Sequence, residues 1–177
     1  ALIQRKDTLI AGYRQSQYVE VAASAGVPIA QGRATFLNAH EVQTDAGIVR
    51  GAQFLIATGS RPIIPAIEGL DTVPYLTSDL LSAGEAMELQ EVPASLIILG
   101  GGYIALELGQ MFARFGAVVT IIEPGPRVLW RDAEPEVGLA IQGILRDEGV
   151  TIVTRAQARR VQVANGGVGG TLTGRGS

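Results

Sequence analysis

Apolar residues in the first 25 positions recur near helical spacing. Leu2, Leu9, Tyr13 and Val21 are separated by Lys6, Arg14 and Glu20, which predicts an amphipathic helix. Gly26 and Pro28 end it. Residues 29–37 and 41–49 predict short strands around turns at Asn38 and at Asp45-Ala46-Gly47. Residues 52–58 form an apolar run that predicts a buried strand. Pro62, Pro65 and Pro74 punctuate residues 61–92, read as a connector with a short helix near residues 80–89.

The pattern sharpens after Pro93. Residues 95–99 predict a strand, and residues 103–115 a helix with Ile104, Leu108, Met111 and Phe115 on one face. Gly116 ends that helix, and residues 117–122 predict a second strand. Asp132 is read as an N-cap and Pro135 as a first-turn residue of a helix reaching about Glu148, closed by Gly149. Residues 150–153 predict a third strand. Strand, helix, strand, helix, strand is the order of a right-handed parallel βαβαβ unit.

Composition narrows the classes. The 177 residues carry 14 basic and 17 acidic side chains, a net charge of −3, against the basic face that nucleic-acid binding requires. Hydrophobic residues make up 47%, enough for a folded core, and no apolar run approaches the ~20 residues of a membrane span. Cysteine is absent and His40 is the single histidine, so disulfides, thiolate chemistry and a histidine-rich metal centre are excluded within this chain. Glycine, at 23 residues, is in excess. Six of them crowd the final stretch GGVGGTLTGRGS, read as a loose turn or frayed end.

Gly100-Gly101-Gly102-Tyr103-Ile104-Ala105 matches G-x-G-x-x-A between a predicted strand and a predicted helix. Gly100 permits the turn out of the strand. Gly102 lets a pyrophosphate approach bare backbone. Ala105 lets the helix pack closely on the sheet. The helix start offers N–H groups and the positive end of its dipole to phosphate. Glu123 lies 23 residues after Gly100, at the end of the second strand. A carboxylate there accepts the ribose hydroxyls of NAD and repels the 2′-phosphate of NADP. Arg127, four positions on, could reach a 2′-phosphate, stack on adenine or pair with a surface acid.

A second motif precedes it. Phe54-Leu-Ile-Ala-Thr58-Gly59-Ser-Arg-Pro62 resembles the strand and A-T-G turn that closes the first FAD-domain segment of the two-dinucleotide-fold flavoproteins. The fingerprint follows in that family's order. Together with Thr77-Ser78-Asp79, residues 95–116, Glu134-Pro-Glu-Val-Gly138 and Leu145-Arg-Asp-Glu-Gly149, these motifs make the chain similar to the pyridine nucleotide–disulfide oxidoreductases, and within them to the mercuric reductases.

The resemblance covers residues 1–163 and implies a partial FAD-binding segment over 1–76, an incomplete NAD(P)-binding Rossmann domain over 77–163, and a Gly-rich tail over 164–177. It implies that Gly100, Gly102 and Ala105 cradle the pyridine dinucleotide pyrophosphate and that Glu123 holds its ribose. Tyr103, Ile104 and Glu107 would lie near the nicotinamide, and Thr58 and Gly59 beside FAD. For an intact enzyme it implies a cytoplasmic homodimer that passes a hydride from NAD(P)H through FAD and a cysteine pair to Hg(II).

The family's first FAD fingerprint, redox cysteines, later FAD segment and C-terminal dimer domain are not present, so the chain reads as an internal fragment that binds nucleotide without turning over. Two alternatives stay open: a segment of a dihydrolipoamide dehydrogenase or other NADH-dependent disulfide reductase, and a non-enzymatic nucleotide-binding module. His40 reads as a turn or surface residue, and Trp130 as packing or, less favourably, as a cover for adenine. Arg131, Asp132, Glu134 and Glu136 read as a solvated, capped helix start.

Overall fold

The structure is a computed structural model that describes residues 2–78, 89, 91–164 and 167–174, with side chains from residue 4. Backbone contacts divide the chain into two compact units, residues 1–61 and 62–177.

In the first unit, α1 (Leu2–Arg14) runs through a π-helical turn at Gln15–Val19 into α2 (Glu20–Ser24). Gly26 ends the helix at φ +69°. The helix expected here is present, but its stripe is not a buried one: Leu9, Tyr13 and Val21 are exposed. Strands β1 (Thr35–Asn38), β2 (Glu41–Thr44) and β3 (Gly47–Arg50) form an antiparallel meander in the order β1-β2-β3. Its second hairpin turns at Asp45-Ala46, with Gly47 at φ +121°. The first strand starts at Thr35 rather than at residue 29, because Pro28 and Gly32 (φ +125°) break the extended run.

The strand expected over 52–58 is not formed. Leu55 and Ile56 are exposed, and no described strand pairs with this segment. Its apolar run carries β character but needs a neighbouring ladder to satisfy its backbone.

The second unit is organised by a parallel sheet, β4 (Ser95–Leu99), β5 (Val118–Glu123) and β6 (Thr151–Thr154), in the order β4-β5-β6. Two helices make the crossovers, α3 (Tyr103–Arg114) and α4 (Pro135–Asp147). Both crossovers step the same way across the sheet, so a right-handed path places both helices on one face. The core forms there from Leu106 and Phe112 of α3, Val119 and Ile121 of β5, Leu145 of α4, and Val128, Val150 and Ile152. This is the expected βαβαβ unit. Gly116 (φ +97°) and Gly149 (φ +87°) close α3 and α4 as anticipated. The helix expected near 80–89 lies outside the described residues, apart from Leu89.

Three expectations fail in this unit. The buried face of α3 is Leu106, Gly109 and Phe112, with Leu108 and Met111 at its margin, while Ile104 and Phe115 are exposed. Gly109 explains the rotation: a Cβ there would stand 3.2 Å from the Ile121 side chain and 3.3 Å from that of Ile98, so the helix meets the sheet at its glycine. The N-cap of α4 is Glu134, not Asp132, and it makes no side-chain cap hydrogen bond. Over its described residues the Gly-rich end is no frayed tail. Residues Gly167–Gly174 form β8, antiparallel to β7 (Ala156–Ala164), in a hairpin that the sequence reading missed. Glu68 extends the ladder: its N–H donates to Arg159 O at 3.1 Å, and its carbonyl accepts from Val161 N at 2.8 Å.

Candidate functional site

The fingerprint loop leaves β4 at Leu99. Gly100 turns it at φ +101°, a conformation that favours glycine, and its N–H still donates to Ile122 O at 2.8 Å. Gly102 stands at the N-cap of α3 in extended geometry, φ −77° and ψ 173°, with no side-chain cap. A Cβ on Gly100 or Gly102 would meet nothing within 4 Å, so both backbones border open space. Bare amides at a helix start, facing room for a ligand, form an anion-binding arrangement.

Glu123 ends β5 beneath this loop and is buried. One carboxylate oxygen accepts the Gly101 N–H at 2.6 Å, and the other accepts the Gly125 N–H. A buried carboxylate is tolerated when such charge-assisted bonds satisfy it. Each oxygen retains a further lone pair, so Glu123 both braces the glycine loop and lines the space above it.

That space is a cleft of about 280 Å³. Gly100, Gly101, Gly102 and Glu123 form one side; Leu129, Trp130, Arg131 and Asp132 form much of the other. The second wall belongs to the connection between β5 and α4. Leu129 N donates to Gly101 O at 2.9 Å, joining the two walls. Trp130 is 40% exposed, and the Arg131 guanidinium lies 4.4 Å from its ring centroid, a cation–π stack at the cleft. A Cβ on Gly125 would collide with the indole. The reading of Trp130 as a packing residue was therefore incomplete, and Asp132 lines the cleft instead of capping a helix. The sequence signal was available in the position of both just after Glu123, but an irregular loop has no periodicity to aim its side chains.

Arg127 does not line the cleft. Its Nη1 donates to Leu129 O at 2.9 Å and Val128 O at 3.2 Å, and its Nη2 to Ala133 O at 2.8 Å. Tyr103, Ile104 and Glu107 lie on the exposed side of the first turns of α3, and Ala105 is half-buried. Thr58 and Gly59 belong to the other unit and lie exposed in a stretch without regular structure, with Gly59 at φ +72°.

A second depression, of about 490 Å³, lies in the first unit among Asn38, His40, Glu41, Arg50 and Gly51. Its polar groups serve each other: Arg50 pairs with Glu41 at 2.7 Å, and Asn38 donates to Glu41 at 2.8 Å. The Arg50 hydrogen bond chiefly, and that of Asn38, hold the Glu41 carboxyl below the usual glutamate range. His40 is exposed in the β1–β2 turn, with Nδ1 3.3 Å from Gly51 O. Among the described residues no group of three or more His, Cys, Asp or Glu could hold a metal ion, and no helix is long and apolar enough to cross a membrane.

Comparison with known proteins agrees with this fold. The mercuric reductase of Streptomyces lividans is 45% identical over 98% of the chain, which spans 36% of that protein. The probable pyridine nucleotide-disulfide oxidoreductase RclA of Escherichia coli (strain K12) is 34% identical over 90% of the chain, again spanning 36% of the relative. The solved structure of the HOCl-induced flavoprotein disulfide reductase RclA from Escherichia coli superposes with a TM-score of 0.79 at 32% identity, over 97% of this chain and 40% of that one. The chain thus spans little more than a third of the length of these relatives. The sequence pattern of the family described as "Pyridine nucleotide-disulphide oxidoreductase" matches residues 5–177, and the chain belongs to that family.

Proposed function

We propose that the cleft binds a pyridine nucleotide for a flavin-dependent oxidoreductase whose final acceptor is Hg(II). The observation that carries this reading is the pairing of an open, uncapped glycine turn with a buried Glu123 that braces it. Amides at the start of α3 receive the pyrophosphate, with Gly100, Gly102 and Ala105 giving close approach. Glu123 accepts from the adenosine ribose, and its negative charge favours NAD(H) over NADP(H). Trp130 and Arg131 form the outer wall against the adenosine portion. Tyr103, Ile104 and Glu107 lie where the dinucleotide extends along α3 toward its nicotinamide.

Thr58 and Gly59 would border FAD, and the exposed, irregular segment that holds them offers backbone polar groups to such a ligand. FAD would supply the two-electron chemistry linking NAD(P)H to a cysteine pair. This chain contains no cysteine, so its own part is binding and orientation, and the thiols that meet Hg(II) come from beyond these 177 residues. The similarity to mercuric reductases supports Hg(II) as substrate. The likeness to RclA favours a second reading, a disulfide reductase of the same family. We also assign the intact protein to the cytoplasm as a homodimer, following the family resemblance.

Isothermal titration of the chain with NADH and NADPH tests the binding step. Saturable binding of NADH, tighter than NADPH and lost in Gly102→Val, is expected; no binding of either would overturn the reading. For the intact protein, Hg(II)-dependent oxidation of the nicotinamide separates the two acceptors from each other.

A further inference from the structure

We propose that Arg127 is a positioning residue that shapes the outer wall of the cleft through the main chain and makes no contact with the nucleotide. This rests on the reading of the cleft as a pyridine nucleotide site. Residues 124–134 join β5 to α4 without regular structure, yet five of them, Pro124 and Leu129 to Asp132, line the cleft. Something must hold that segment in one shape.

The Arg127 guanidinium gathers three carbonyls from its two ends, those of Val128, Leu129 and Ala133. A planar fork with several donors suits this task, and a single ammonium cannot span the same acceptors. Leu129 O is the hub: it also accepts from Asp132 N at 3.1 Å and Ala133 N at 3.0 Å. Leu129 itself is held at φ +51°, a left-handed conformation that a leucine adopts only under outside constraint. Its N–H is fastened to Gly101 O, so the shape that Arg127 imposes reaches the glycine turn through one residue.

Helix α4 makes room for this arrangement. A Cβ at Gly138 would stand 2.6 Å from Val128 O and 2.9 Å from Arg127 Nη1. The helix thus presents a bare position where the guanidinium and its first carbonyl rest. Arg127 is directed into the protein's own backbone and away from the role of a 2′-phosphate ligand.

The test uses the full chain, whose single tryptophan, Trp130, is in the tethered segment. Arg127→Met removes the donors, and Arg127→Lys keeps the charge without the fork. Acrylamide quenching of Trp130 is measured without ligand, and NADH and NADPH affinities by titration, with far-UV circular dichroism as the folding control. Both variants are expected to raise Trp130 quenching. Both should weaken NADH and NADPH by the same factor, about tenfold, as for other groups that orient a binding site from behind.

Unchanged quenching in a folded variant would overturn the proposal. So would a selective loss of NADPH binding in Arg127→Met that Arg127→Lys restores, the signature of a direct phosphate ligand. Unfolding of both variants would overturn it too, because a tether confined to this loop is not required for the sheet. If the unaltered chain binds neither nucleotide, the reading of the cleft fails, and the ligand-free quenching alone decides whether Arg127 shapes the loop.

Discussion

The carboxylate of Glu123 accepts the Gly101 N–H at 2.6 Å across 22 positions of sequence, so the acid at the end of β5 braces the glycine turn at the end of the neighbouring strand, β4. Replacing one oxygen by an amide nitrogen faces a donor toward a donor. Glu123→Gln should therefore lower stability by about 2 kcal/mol, the range for buried hydrogen bonds to a charged group. Urea unfolding followed by Trp130 emission measures this, and the same variant should lose NADH affinity.

Gly102 and Gly100 both border open space, but their backbones differ. Gly102 has an ordinary φ of −77°, so Gly102→Ala should shift stability by no more than about 0.5 kcal/mol while reducing NADH affinity. Gly100 stands at φ +101°, so Gly100→Ala should cost roughly 1–3 kcal/mol of backbone strain besides its effect on binding. Thermal midpoints set beside NADH titrations separate the two effects.

Two glycines five residues apart in α4 should respond in opposite directions. Gly143 has nothing within 4 Å of an added Cβ, so Gly143→Ala should stabilise by up to about 1 kcal/mol through helix propensity. At Gly138 the Cβ would press on Val128 O and Arg127, and Gly138→Ala should destabilise by about 1–3 kcal/mol. Denaturant midpoints of both variants check the signs.

The ends of α3 and α4 are joined by Arg114, whose Nη2 lies 2.7 Å from a Glu148 carboxylate oxygen, with Gln110 donating to the same acid at 2.9 Å. The Arg114 hydrogen bond chiefly holds the Glu148 carboxyl below the usual glutamate range. A lowered folded pKa means that the unfolded chain takes up the proton first as pH falls. The contribution is complete above the usual glutamate pKa and is lost as pH drops through the lower, folded value. Arg114→Met should flatten this acid limb of the stability–pH curve by lowering stability at neutral pH, with little change below the folded pKa of Glu148; urea midpoints between pH 3 and pH 7 test it.

Local signals were enough for the βαβαβ order, the fingerprint, and the placement of Glu123 at a strand end. Turn glycines and strand or helix periodicity act over a few residues, and a single chain displays them directly. They did not show which face of α3 is buried, because Gly109, the point of closest approach to Ile98 and Ile121, adds no hydrophobic signal. The β7–β8 hairpin was hidden for a related reason: β8 is half glycine, so its pairing rests on main-chain bonds, with little side-chain pattern.

The apolar run over 52–58 shows the converse, since β character without a neighbouring ladder makes no strand. Arg127 and Trp130 were visible as residues, but their tasks depend on carbonyls, glycines and a ring stack brought together by a loop without periodicity. Sequence alone therefore determined the kind of unit and its glycine turn. Tertiary structure decided what closes the cleft, because the partners of polar groups in an irregular loop are set only when the sheet and helices have packed.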